Sequence, residues 1–432
     1  MKKSLLIFLT GLLLLSCKEE QELAVLPEIF SFCPLSARHG ETVTITGKNF
    51  EAVATEIIVS FNGHKAKLTS VTDTVIRVTV PKNLQCSGLL SITIRGKTCE
   101  SANMFIFQPT VTVSTFAGSG TAGFADGAGN VAQFNHPDGL AVDASGNVYV
   151  ADAGNDRIRK IAPNGVVSTL AGSGVMGFAD GTSDKAQFDR PAGMTVDAFG
   201  NVYVADRWNR RIRKITTDGV VSTIAGSGAS GSADGFGEVS QFSFPLDVET
   251  DGLGKIFVAD DNCIRVITPV GMVSTLTRST VNGTGDALQF SYLYGVTVDA
   301  SGNVYVSEIS YRHRIRKITP DGIVSTLAGV TSGYADGVSV VAQFNQPNGI
   351  AADILGNIYV ADALNHRIRI ITPNGVVSTL AGSGGFGYDN GGFANGDGDK
   401  AQFKYPCGVA VDASGIVYVS DMNNCIRKIV ID

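Results

Sequence analysis

The sequence predicts an all-β protein built as a β-sandwich followed by a six-bladed β-propeller. Three observations carry the prediction. One phrase recurs six times along most of the chain, anchored by Phe134, Phe188, Phe242, Phe290, Phe344 and Phe403, at spacings of 54, 54, 48, 54 and 59 residues. Each copy divides into four short apolar runs separated by turn residues. The stretch ahead of the copies alternates apolar and polar residues but lacks the phrase.

The N-terminus predicts an address. Lys2 and Lys3 precede an apolar stretch, 5–15, that is too short to span a bilayer, and it closes on Leu14-Leu15-Ser16-Cys17. The segment resembles a bacterial lipoprotein signal peptide with its lipobox. The resemblance implies cleavage ahead of Cys17 and lipidation of that cysteine, as by palmitate. Lys18-Glu19-Glu20 is similar to the export tag of Bacteroidetes surface lipoproteins, which implies an outer-membrane lipoprotein exposed at the cell surface. Residues 1–17 are thus the signal and lipobox, and 18–26 a tether.

From 27 to 109 the runs GETVTITGKNF (40–50), VSFNGHKAKLTSVTDTVIRVTVP (59–81) and GLLSITIRG (88–96) alternate as half-buried strands do. Gly40, Gly47, Phe50, Asn62, Gly63 and Pro81 give this stretch its resemblance to an IPT/TIG domain, an immunoglobulin-like sandwich. Such a domain acts as a spacer or a binding module.

The repeat region, 110–432, follows. In the first copy, 139–143 is an apolar run, Ser145-Gly146-Asn147 a turn, and 148–151 a second run. A polar loop leads to 157–161, and Pro163-Asn164-Gly165 turns the chain into 166–171. Units of this size stack because none buries its apolar face alone. Four strands per unit around an axis form a propeller, which keeps its sheet edges short. The sixth copy lacks a fourth strand, and the orphan VTVSTFAGSG at 111–120 matches 167–174. It is expected to complete the last blade from the N-terminal side and close a six-bladed ring. VADAGNDRIRKI (150–161), VADRWNRRIRKI (204–215) and VADALNHRIRII (360–371) resemble the NHL repeat. That family includes RNA readers, lyases and extracellular binding modules, so the resemblance implies a fold and leaves function open.

Composition narrows the choice. The net charge of −6 becomes −8 once Lys2 and Lys3 leave with the signal. An acidic chain disfavours nucleic acid, whose binding rests on neutralised phosphates. Seven cysteines include Cys17, leaving six for an oxidising compartment. Cys407 with Cys425, and Cys33 with Cys86, are candidate disulfides, though connectivity is not readable from sequence. No CxxC or His-Cys spacing suggests zinc, and no cofactor is expected.

Features present in all copies read as scaffold. Asp126, Asp180, Asp234, Asn282, Asp336 and Asn395, each before glycine, are expected to shape loops. Asp152, Asp206, Asp260, Asp362 and Asp421, with Arg157, Arg211 and Arg367, are expected to brace blades as ion pairs. Function should sit where copies differ. The residue after the anchor proline is Asp138, Ala192, Leu246, Tyr294, Asn348 or Cys407, and should ring the channel mouth. The loops between second and third strands contribute Arg207, Trp208, Arg210, Tyr311 and His366, while Tyr292 and Tyr405 flank the same mouth. Aromatic rings beside arginine suit a platform that stacks on sugars or grips a peptide.

The expected function is therefore that of a monomeric, surface-anchored, non-enzymatic binding protein that takes a glycan on one face of the propeller. An extracellular or envelope protein is the alternative partner. A third reading is a lyase or hydrolase with a metal held by His136, His313 and His366. An exposed aromatic row favours glycan, a broad apolar patch protein, and a converging histidine trio an enzyme.

Overall fold

The computed structural model describes residues 26–50, 56–82, 87–277, 290–339 and 341–432. The chain divides into two compact units, with the boundary between Pro109 and Thr110. Cys17 and the expected signal, tether residues 18–25, Cys86 and Asn282 lie outside the described residues.

The first unit is a two-sheet sandwich. Strands Glu28–Cys33, Thr42–Lys48, Val75–Thr79 and Lys67–Val71 form one sheet, and Lys97–Phe107, Gly88–Ile94 and Ile57–Phe61 lead the other. Burial alternates along Thr42–Lys48, so Val43, Ile45 and Gly47 face inward. They meet a core that includes Phe32, Phe50, Phe61 and Phe105. This is the patterning of two sheets packed face to face.

The second unit is the ring of blades. Blade one consists of Pro137–Val142, Val148–Asp152, Arg157–Ile161 and Val167–Ala171, paired antiparallel in that order. The other blades open on Pro191–Val196, Pro245–Thr250, Leu293–Val298, Pro347–Ala352 and Pro406–Val411. These six innermost strands touch in succession, and the sixth touches the first, so the ring is closed. Val111–Ala117 pairs antiparallel with Cys425–Ile431, Val111 opposite Ile431. The upstream strand therefore completes blade six, as the missing fourth strand predicts. Each anchor phenylalanine is buried at a seam. Phe188, for example, packs with Ala141, Tyr149 and Ile158 of blade one as well as with Val202 and Val204 of its own blade. One phenylalanine per seam is why the phrase must recur.

The ion pairs differ from the expected ones. The arginine that meets the repeated acid position is two residues beyond the predicted one. Arg159 is fully buried and binds Asp152 at 2.7 Å and Asp126 at 2.5 Å, and it donates to the carbonyls of Gln133 and Ala125. Arg213 and Arg369 repeat the arrangement with Asp206 and Asp180, and with Asp362 and Asp336. Arg157 instead donates to the carbonyls of Asn155 and Ser173 while its guanidinium lies 3.9 Å from the Phe124 ring centroid. Two residues on a strand share a face. The inner arginine reaches the buried carboxylate, and the outer one is left for the loop. Asp126, Asp180, Asp234, Asp336 and Asn395 are thus partners of buried arginine.

Cys407 and Cys425 are free and buried. Cys407 belongs to the innermost strand of blade six and Cys425 to the third, with Val417–Asp421 between them. Two strand spacings, roughly 10 Å, exceed the reach of a disulfide. The expected pair does not form. Cys33 is free among the described residues.

Candidate functional site: the upper mouth of the propeller

The loops before each first strand and between second and third strands meet at one end of the ring, the upper face. A β-bulge follows the opening residue of every first strand, as between Pro137 and Leu140. Below it the inner strands run close together. A Cβ on Gly139 would lie 2.5 Å from the Cα of Gly193, so this layer admits only glycine in most blades.

Blade three departs from that rule. Where the other blades carry Gly139, Gly193, Gly295, Gly349 and Gly408, it carries Asp247, and two residues on, where they carry alanine or threonine, it carries Glu249. Both acids line a channel cavity of about 200 Å³. Asp247 accepts from the backbone N–H groups of Val248 and Val296, each at 2.9 Å. Glu249 accepts from the Thr195 hydroxyl at 2.6 Å and the Thr250 N–H at 2.9 Å. Burial pushes the Asp247 carboxyl well above its ordinary range, with Glu249 and Asp138 adding to the rise. Burial lifts Glu249 to about 7.

At the mouth, Tyr294 of blade four reaches across the channel and donates to Asp138 of blade one at 2.7 Å. Burial and the Asp138 charge hold its hydroxyl protonated. Arg207 stands 3.7 Å from the same carboxylate. Beside it lies a cavity of about 450 Å³ whose walls include His136, Asp138, Arg190, Arg207, Tyr405 and Met422. On its other side the guanidinium of Arg207 is 5.7 Å from the Phe244 ring centroid. Phe244 meets Trp208 edge-on at 5.3 Å and Tyr292 at 6.3 Å. Trp208 is 47% exposed. Trp208, Phe244 and Tyr292 thus form an aromatic row over blades two to four, with Arg207 between row and cavity.

The structure assembles Arg207, Trp208, Tyr292 and Tyr294 at this place, with Arg210 in the same loop. Tyr311 is 94% exposed on blade four. Tyr405 donates to Gln346 at 2.9 Å and stacks on Tyr388 at 5.7 Å.

Two further candidates are buried. Asn348 is fully buried, beside Tyr405 and Cys407. His366 is also fully buried. Its Nδ1 accepts from the Tyr405 N–H at 2.9 Å, and its Nε2 donates to the Gly387 carbonyl at 2.7 Å. Burial lowers its pKa and keeps it neutral. With both nitrogens engaged, it has no lone pair for a metal.

His313 does the same at the preceding seam, its Nδ1 accepting from Gln346 N–H at 3.0 Å. Asp156, Asn262 and Asn424 do so for the backbone of Arg190, Tyr292 and His136. The position is a seam clamp, which explains why it holds acceptors. The three histidines do not converge, and no group of three potential metal ligands occurs among the described residues.

Sequence reading missed Phe244, Asp247 and Glu249. Aligning only the residue after the anchor proline passes over them. The columns that hold Phe244, Asp247 and Glu249, two before and one and three after it, where copies also differ, hold the signal.

Residues 27–111 match the IPT/TIG domain, and residues 134–161, 188–215 and 344–371 match the NHL repeat. The chain is 28% identical over 286 residues to teneurin-4 of Mus musculus, covering 54% of this chain and 10% of that protein. It is 27% identical over 336 residues to NHL repeat-containing protein 2 of Gallus gallus, covering 67% of this chain and 45% of that one. The chain therefore spans under half the length of these relatives. Among solved structures, a Bacteroides thetaiotaomicron protein of unknown function aligns with TM-score 0.61 at 21% identity, over 95% of this chain and 99% of its own. An auxiliary nutrient binding protein of the same organism aligns with TM-score 0.58 at 19% identity, over 94% and 98%. Both likenesses are of fold.

Proposed function

We propose that this chain, an IPT/TIG domain joined to a six-bladed propeller of NHL repeats, is a non-enzymatic binding lipoprotein. Cys17 carries the lipid that holds it to the outer membrane, the sandwich is the spacer, and the upper mouth of the propeller, displayed at the cell surface, captures a glycan. The carrying observation is the row Trp208–Phe244–Tyr292 beside an open cavity. Sugar rings present apolar C–H faces that pack on aromatic rings, and their hydroxyls take the polar groups at the edge. The nutrient binding role named for one protein of similar fold supports a binding reading.

Trp208→Ala is expected to weaken glycan binding by about 1–3 kcal/mol, roughly 5- to 150-fold. A glycan array, followed by titration of the best hit against both proteins, measures it. Unchanged affinity removes Trp208 from the site. Capture of an envelope or matrix protein with no glycan bound would favour the protein-partner reading.

A further inference from the structure

The mouth carries an arginine, Arg207, whose partners differ from those of the blade arginines described above. Arg213, in the same blade, is saturated by Asp206, Asp180 and two carbonyls. Arg211 donates to the carbonyls of Asn209 and Ser227. Arg207, in the loop between the second and third strands, has no such set of carbonyl or carboxylate partners: its neighbours are the Asp138 carboxylate and the Phe244 ring. The side chain of Arg207 is only 16% exposed, yet its nearest carboxylate, on Asp138, is at 3.7 Å, beyond hydrogen-bond reach. A guanidinium largely shielded from water, with no carboxylate in hydrogen-bond reach, is left free to take charge-assisted bonds from a ligand.

The seams explain how this loop came free. Five of six seams use an Asp, Asn or His to accept a backbone N–H of the next blade. At the seam from blade two to blade three that position is Arg210, which cannot accept, and the Phe244 N–H goes to Asp260 at 2.7 Å instead. The clamp is given up where the aromatic row begins. Arg190, exposed, stands in the wall of the same cavity as Arg207. Asp138 lies within that wall, and Asp189 and Asp156 lie beside Arg190. Asp138 accepts from Tyr294 through one oxygen, while Arg207, 3.7 Å from the other, lines the cavity.

Resting on the glycan reading above, we propose that the ligand is an acidic glycan. A carboxylate-bearing sugar ring would stack on Trp208 and Phe244 and present its carboxylate to Arg207, with Arg190 as the second cation. Guanidinium is suited to this because its paired N–H groups match the two oxygens of a carboxylate and its plane stacks on an aromatic face.

The test is a titration of the full chain with uronate-containing oligosaccharides and with the same oligosaccharides after methyl esterification, which removes the charge and keeps the ring. Tight binding of the acid form is expected. It should fall at least tenfold on esterification and tenfold in Arg207→Gln, and it should weaken as salt rises from about 50 to 500 mM. Arg190→Gln, at an exposed position that no core packing needs, should lower affinity severalfold and guards against misfolding of the Arg207 variant. Phe199→Ser, at a turn on the opposite end of the ring, should change nothing. Equal binding of acid and ester, insensitive to salt and to both arginine variants, overturns the acidic ligand and leaves the glycan reading standing. Binding of neither, with none on a broad neutral array, overturns both.

Discussion

Arg213→Ala is expected to lower the stability of the propeller by about 3–5 kcal/mol. Both partners of the inner pair, Arg213 and Asp206, are fully buried, with their charged groups 2.6 Å apart. Burial pushes the Asp206 carboxyl upward, and the Arg213 charge is the strongest opposing influence. Without the guanidinium, Asp206 keeps only the Asp189 N–H at 3.0 Å and the Asn209 amide at 2.9 Å, and the carbonyls of Gln187 and Ala179 lose their donor. An uncompensated buried charge costs far more than the pair contributes net. Arg211→Ala removes only two bonds to carbonyls and a stack on Phe178, and should cost about 1–2 kcal/mol. Trp208, the single tryptophan, sits in the same blade, so urea unfolding followed by its fluorescence reports on this unit without interference from the sandwich. Equal losses in the two variants would contradict the assignment of Arg213 as the inner brace.

The contrast between those two arginines marks the limit of what the sequence discloses. Period, turn residues and the orphan strand suffice for fold and closure, because burying Phe134, Phe188 and their equivalents at successive seams needs one unit per period. The alternation of arginines is invisible to a pattern search. Arg157 and Arg159 share a face, and only the bend of the loop decides which one turns inward to Asp152. The same holds at the mouth. Trp208 and Tyr292 stand out as aromatics in variable loops, but Phe244 is joined to them by ring packing across two seams. His366 has the look of a ligand until its two nitrogens are found holding Tyr405 and Gly387. A chemistry-bearing residue in a repeat position is recognised as scaffold only when its equivalents in other blades are seen to do the same task with other atoms, as Asp156 and Asn424 do.

Glu249→Gln is expected to make the propeller more stable above neutral pH and to flatten its pH dependence between about 5 and 8. The folded carboxyl is raised from the ordinary value of 4.5 to about 7, chiefly by burial in the channel. Below about pH 4.5 folded and unfolded chains both hold the proton, and the group contributes no slope. Between 4.5 and 7 the unfolded chain releases the proton while the fold retains it, so stability falls as pH rises. Above 7 the full cost is present, on the order of 3 kcal/mol from this group. Glutamine keeps an acceptor for the Thr195 hydroxyl and the Thr250 N–H, so the channel wall should not rearrange.

Asp247, Asp138 and Tyr294 face the same channel, and Asp247 is raised as well, so some of the slope should survive the substitution. The measurement is therefore the difference between parent and variant in urea midpoint at pH 5, 6, 7 and 8. A difference that grows with pH identifies Glu249 as a proton-holding carboxyl at the axis. A constant difference would assign it to packing alone. Two acids in the layer that five other blades fill with glycine, alanine or threonine work against stability near neutral pH. The seam from blade two to blade three, where Arg210 replaces the clamp, gives up a bond as well. Both departures touch blade three, the blade that supplies Phe244 to the aromatic row, so the seam without its side-chain clamp and the acids of the channel meet beside the proposed binding surface.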